Sequence, residues 1–85
     1  MTIAVTPAAA IDAAIHANMT ALSFRLETAA QLTVEARAAM GRKRRNEAIG
    51  TLLPLEHIIP ECEALLRTIL LLHRTPHAGE PGLPL

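Results

Sequence analysis

The residues that could support nucleophilic catalysis are few and are not grouped in this sequence. Ser23 is the single serine and Asp12 the single aspartate, and tyrosine and tryptophan do not occur. Cys62, the lone cysteine, falls among apolar residues at helical spacing, where a free thiol packs as a small hydrophobe. A reactive thiolate needs an exposed, electropositive setting. His57 lies too far round the helix from Cys62 to activate its thiol within one subunit. The sequence therefore predicts no catalytic residue.

The histidines also lack the spacing of metal ligands. No glutamate has a histidine three residues later, as carboxylate-bridged di-iron bundles require, and the HExxH and CxxC patterns do not occur. His73 and His77 are four residues apart, but Pro76 interrupts any helix that would align them. His57 and Cys62 are five apart and point in different directions on a helix. We therefore expect no metal site and no cofactor, with His57 and His77 in solvent and His73 capping the last helical turn.

The most distinctive local feature is a basic cluster that holds half of the lysine and arginine in the chain. It follows Gly41 at the predicted end of a helix, where cations offset the negative end of the helix dipole. A solvated turn is the simplest interpretation of this cluster. The formal net charge of the chain is +0, so the protein as a whole is not attracted electrostatically to polyanions. No aromatic residue interleaves the cluster to stack on bases. It remains the candidate contact for an acidic protein or for nucleic acid, and its members are Arg42, Lys43, Arg44 and Arg45.

The composition predicts an all-α protein. Hydrophobic residues make up 51% of the chain but aromatic residues only 1%, a balance that favours helices over strands. Thr6-Pro7 suits a helix start, because threonine caps free N–H groups and proline tolerates the first helical position. A first amphipathic helix should run from there to Gly41. Its predicted apolar stripe is Ile11, Ile15, Met19, Leu22, Leu26, Ala29, Thr33, Ala36 and Met40.

A second amphipathic helix is expected to start between Asn46 and Thr51 and to end at His73. Its main stripe steps by three and four residues, and Ile58, Leu65 and Leu72 lie alongside it, so that apolar side chains cover about half of the circumference. Pro60 should kink this helix or split it in two, because proline removes a backbone hydrogen bond and crowds the preceding turn.

One neighbouring helix cannot cover so wide an apolar surface. Each large side chain left in water forgoes about 1.5–3 kcal/mol, which is large beside a net stability of about 5–15 kcal/mol. We therefore expect the two helices to form a hairpin that assembles as a homodimeric four-helix bundle. The predicted oligomer interface is Leu55, Ile58, Ile59, Cys62, Leu65, Leu66, Ile69 and Leu72.

The chain is long enough for one domain. We divide it into an N-terminal extension (1–6), the helical hairpin (7–73) and a proline- and glycine-rich tail (74–85). The first residues carry no positive charge of the kind that opens a secretory signal, and the longest apolar stretch is too short to span a bilayer. We expect a cytoplasmic protein without membrane insertion.

Three functional hypotheses follow. The favoured one is a small non-enzymatic interaction protein, an adaptor, regulator or structural accessory that acts through homo-oligomeric helix packing. The alternative is a nucleic-acid-associated regulator that uses the basic cluster. The second alternative is a small enzyme or ligand-binding bundle with a site at the subunit interface, built from His57 and Glu61 or Cys62.

Overall fold

The computed structural model describes residues 7–74, which form three helices and no strand. They are α1 (Pro7–Gly41), α2 (Arg45–Leu52) and α3 (Leu55–Arg74). Both α2 and α3 pack against α1, so the chain is an all-α hairpin whose second arm is interrupted. The predicted extension (1–6) and all of the predicted tail beyond Arg74 lie outside the described residues.

The side of α1 that packs against the second arm has a strict heptad pattern. Its shielded residues alternate at spacings of three and four, a period that keeps one stripe against a neighbouring helix. Met19, Leu26 and Met40 belong to the predicted stripe but are 51%, 53% and 49% exposed, and Thr33 is exposed as well. The predicted stripe therefore coincides only in part with the one that packs against the second arm. The stripe in the structure, which we call the seam of α1, consists of the buried or half-buried Ala8, Ile11, Ile15, Asn18, Leu22, Ala29, Leu32, Ala36 and Ala39, with the exposed Arg25 at the remaining position of the pattern.

α1 ends in a Schellman motif. The Arg44 N–H donates to the Ala39 carbonyl at 2.9 Å, and the Lys43 N–H donates to the Met40 carbonyl at 2.9 Å. Lys43 has a φ of 60°, the left-handed conformation that this motif requires and that glycine usually supplies. The helix end was therefore predicted correctly at Gly41, but Gly41 is its last helical residue and Lys43 makes the turn.

The second arm is interrupted at a different proline from the predicted one. α2 ends at Leu52 and α3 begins at Leu55, whereas Pro60 lies inside α3. Pro54 has no N–H, and the ladder resumes with the Glu56 N–H on the Leu53 carbonyl at 3.0 Å. Pro60 is tolerated because it and Glu56 are both exposed, so that water can satisfy the Glu56 carbonyl. The second arm is therefore bent, as predicted, but of the two alternatives at Pro60 the split does not occur, and the break lies at Leu53 and Pro54.

α3 presents its own heptad stripe to α1. An ion pair between Arg25 and Glu61, 2.9 Å long, sets the register of the two antiparallel helices. Antiparallel helices matched at this pair bring residues whose numbers sum to about 86 to similar heights, so we infer that Leu22 lies near the level of Leu65, and Ala29 near that of Ile58. The seam of α3 consists of Leu55, Ile58, Cys62, Leu65, Ile69 and Leu72, each buried or half-buried.

α2 packs on the end of α1 through small side chains. Ala36, Ala39 and Ala48 are buried together, with Leu52 against them. Alanine at all three positions allows the two helix backbones to approach closely. Together with Ile58 and Ile69, these are the buried hydrophobic residues of the described chain, so the hairpin alone has a thin core.

Candidate interaction face

Large apolar side chains remain exposed along one side of the seam. They come from all three helices and are 39–53% exposed. Three are on α1, one is on α2 and three are on α3, and they follow one another along the hairpin. We call this surface the apolar face; its members are Met19, Leu26, Met40, Ile49, Ile59, Leu66 and Leu70.

The heptad geometry explains why these residues share a side. Leu26 lies four residues after the seam residue Leu22, and Ile59 lies four residues after Leu55. Antiparallel helices are related by a two-fold axis perpendicular to their plane, so equivalent heptad positions flank the seam on the same side. Met19 and Leu66 occupy the same two positions one heptad further along. The apolar face is therefore continuous across both arms.

The face has a regular order along the hairpin axis. The register places Met19 level with Leu66, and Leu26 level with Ile59. Near the turn, Met40 and Ile49 line the same shallow depression between α1 and α2. The face thus extends from the open end of the hairpin almost to the turn.

The other side of the seam is different in character. Its flanking positions on α1 include Ala21, Thr28 and Glu35, and those on α3 are Glu61 and Thr68. Arg25 and Glu61 form their ion pair on this side. The positions that directly flank the seam on this side are therefore small or polar, and the large apolar residues Phe24 and Leu71 lie further out, 69% and 58% exposed.

The structure divides the predicted oligomer interface into two groups. Six of its eight residues form the seam of α3, including Ile58, Leu65 and Leu72, which face α1 of the same chain. Ile59 and Leu66 lie on the apolar face, 51% and 49% exposed. That these residues form an oligomer interface stays a prediction.

The other members of the face lie outside the predicted oligomer interface. Met19, Leu26 and Met40 belong to the predicted stripe of the first helix, and the predicted interface does not include Ile49 or Leu70. The signal for α1 was present, because its sequence supports two overlapping apolar stripes that share Ile11, Ile15, Leu22, Ala29 and Ala36. One stripe faces the second arm, and the other is part of the apolar face.

The basic cluster forms the exposed turn between α1 and α2. Arg42 and Arg44 share one carboxylate, that of Glu47, at 4.0 Å and 3.4 Å. Lys43 and Arg45 have no ion pair within residues 7–74. Four cations face one carboxylate here, so the turn is a positively charged patch.

The residues considered for catalysis and metal binding are dispersed. Within the described range, no group of three or more His, Cys, Asp or Glu side chains could hold a metal ion. Cys62 is a free thiol, half-buried in the seam, and Glu61 is engaged by Arg25. None of the helices in residues 7–74 combines enough length and apolarity to cross a bilayer.

The fold and the exposed surface define a helical hairpin with one continuous apolar side and a basic turn. Comparisons with protein-family models, curated proteins and solved structures found no match to this chain.

Proposed function

We propose that this protein is a non-enzymatic helical interaction protein that assembles as a homodimeric four-helix bundle through its apolar face. The observation that supports this is the grouping of seven half-exposed large apolar side chains on one side of the hairpin. Scattered apolar residues are normal on a protein surface, whereas contiguous patches mark interaction sites.

A second copy of the hairpin suits this face. The face is flat, formed by a layer of antiparallel helices, and such layers bury their apolar side against another layer of helices. Two hairpins stacked face to face form a four-helix bundle, with knobs-into-holes packing and a two-fold axis. Both copies then offer the same apolar surface, so that each covers the other.

The gain from burial is sizeable beside the stability of a small domain. A large apolar side chain contributes about 1.5–3 kcal/mol when it is fully removed from water. Members of the face are roughly half exposed, so each has about half of that contribution still available. Burying seven such residues in each of two copies contributes a free energy similar in size to the usual net stability of about 5–15 kcal/mol.

Charged substitutions on the face test this proposal. Leu26→Glu with Leu66→Glu places two carboxylates on the apolar face of each copy, and we expect the variant to be monomeric by light scattering. The matched control is Phe24→Glu with Val34→Glu, which changes two exposed apolar residues of α1 outside the face. The control should keep the mass of the unchanged protein.

Circular dichroism of both variants checks that the helices remain. A helical Leu26→Glu, Leu66→Glu variant whose mass equals that of the unchanged protein would contradict assembly through this face. The same conclusion would follow if the control variant alone lost the oligomer.

The exposed turn favours a second candidate function, binding of a nucleic acid backbone. Lys43 and Arg45 are without an ion pair in the described part of the chain, and Arg42 and Arg44 share Glu47. Unpaired cations in an exposed turn can neutralise phosphates, and binding of that kind weakens as salt rises.

Alanine at positions 42 to 45 tests this candidate. We expect the fourfold variant to lose salt-sensitive retention on immobilised DNA. A variant with alanine at Arg37, Arg67 and Arg74, three cations outside the turn, should be retained like the unchanged protein. Equal retention of the fourfold variant and the unchanged protein would reject the basic turn as the binding site.

A further inference from the structure

We infer that the two copies of the dimer pack with their basic turns at opposite ends of the bundle. This rests on the proposed dimerisation and adds the orientation of the second copy. In this arrangement α1 of one copy runs antiparallel to α1 of the other, and α3 likewise.

The distribution of charge along the hairpin carries the first part of the argument. The turn from Arg42 to Glu47 holds four cations and one carboxylate. The rest of the described chain has an excess of carboxylates, which come from both α1 and α3. The hairpin is thus positive at the turn and negative along its body. Its remaining ionisable residues in residues 7–74, histidine aside, are Asp12, Glu27, Glu35, Glu56, Glu61, Glu63, Arg25, Arg37, Arg67 and Arg74.

Face-to-face packing with two-fold symmetry allows two arrangements. An axis parallel to the helices brings both turns to the same end, separated by about 10–20 Å for helices packed about 8–10 Å apart. That separation is close to the Debye length of about 8 Å at physiological salt, so eight cations repel one another. An axis across the helices places the turns at opposite ends of the bundle. When Met19 of one copy lies level with Met40 of the other, the Gly41 ends of the two α1 helices are separated by about 23 residues of helix, or about 34 Å.

The opposite-end arrangement also keeps apolar residues together. When the two faces are centred on each other, Met19 of one copy lies level with Met40 of the other. Leu66 then lies level with Ile49, and the middle of the face is occupied by Leu26 and Ile59 of both copies. The orientation that charge favours therefore also brings the apolar residues of the two copies together.

This arrangement also gives the turn an acidic neighbour. Asp12 is exposed near the start of α1, in the same heptad position as Met19. In the centred dimer it lies about two helical turns along α1 from the level of the other copy's turn. With both turns at one end, Asp12 would be at the far end of the bundle from every cation of either turn.

Spin labels at the turn distinguish the two arrangements. The labelled variant is Arg45→Cys with Cys62→Ala, and Arg45 is exposed. We expect a label-to-label distance of about 35 Å by pulsed electron resonance, since in the centred dimer the turns lie about 23 residues of helix apart. The control, Phe24→Cys with Cys62→Ala, labels the middle of α1 and should give a distance well below that value in either arrangement.

The mass of the labelled protein distinguishes a failure of the proposed dimer from a failure of the proposed orientation. A dimer with a label distance near 20 Å at position 45 would overturn the opposite-end orientation and leave the proposed dimer intact. A monomeric mass would overturn the dimer itself, and with it the inference, and would assign the apolar face to a different occupant.

Cross-linking provides a second measurement. Met19 and Met40 are separated by 21 residues of one helix, or about 31 Å, so cysteines at these two positions cannot pair within a copy. Mild oxidation of Met19→Cys, Met40→Cys, Cys62→Ala should give a covalent dimer, whereas Met40→Cys, Cys62→Ala alone should not. Efficient dimerisation of the variant with cysteine only at position 40 would overturn the orientation.

Discussion

Lys43 occupies a backbone conformation that lysine seldom adopts. Its φ of 60° lies in the left-handed region, which costs a residue with a Cβ about 1–2 kcal/mol. The Schellman hydrogen bonds of Lys43 and Arg44 to α1 hold it there. The turn therefore keeps a cation at a position where the backbone favours glycine.

Replacing Lys43 by glycine should stabilise the protein. We expect Lys43→Gly to raise the free energy of unfolding by about 1 kcal/mol, because glycine adopts positive φ without a steric penalty. Urea denaturation at a fixed protein concentration measures the change. Lys43→Ala is the matched control, since it removes the same charge but keeps the Cβ, and it should give no such gain. A Lys43→Gly variant less stable than Lys43→Ala would contradict the left-handed turn.

At Gly50, replacing glycine by alanine should stabilise the protein. This residue lies inside α2, and a Cβ built on it meets nothing within 4 Å. Glycine inside a helix costs about 0.5–1 kcal/mol relative to alanine, so Gly50→Ala should raise the free energy of unfolding by that amount. A decrease in the urea midpoint would show that α2 does not form as described.

At the scale of the elements, the two prolines of the second arm have different roles. Pro54 lies at the break before α3, where its missing N–H interrupts the ladder, while Pro60 lies within α3 on an exposed side. An interior proline costs about 3 kcal/mol relative to alanine. Part of that cost is offset, because proline also restricts the unfolded chain.

Pro60→Ala should therefore stabilise the protein by about 1–3 kcal/mol. The new N–H can donate to the Glu56 carbonyl, and the exposed site leaves the seam unchanged. Pro54→Ala is the control and should bring no gain, because proline is well suited to the start of a helix. Thermal denaturation of the two variants side by side measures the difference. A stabilised Pro54→Ala with an unchanged Pro60→Ala would reverse the assignment of the break.

The sequence was informative about which elements form and less so about how they face one another. The start of α1 at Pro7 and its end at Gly41 follow from local chemistry and were predicted. The stripe of α1 that faces the second arm was not predicted. Two overlapping stripes on α1 both have helical spacing, and only the packing of the second arm decides which of them is covered. The choice of Pro54 over Pro60 depends on how the second arm packs on α1, where Ala48 meets Ala36 and Ala39, and local pattern does not contain that information.

At the scale of the whole molecule, the hairpin resembles half of a bundle. Its buried hydrophobic residues are three alanines and two isoleucines in the described chain, while seven larger apolar side chains lie half exposed on one side. A chain of 85 residues buries a modest share of its surface even when it is compact. We propose that assembly through the apolar face supplies the rest of the core.

The mass of the unchanged protein in solution is the direct test of this assembly. Light scattering coupled to size exclusion at micromolar concentration should give twice the chain mass of 9.1 kDa. Dilution should lower the apparent mass and the thermal midpoint together, because assembly and folding are linked by mass action. A stable, helical protein of 9.1 kDa whose melting does not depend on concentration would contradict the claim.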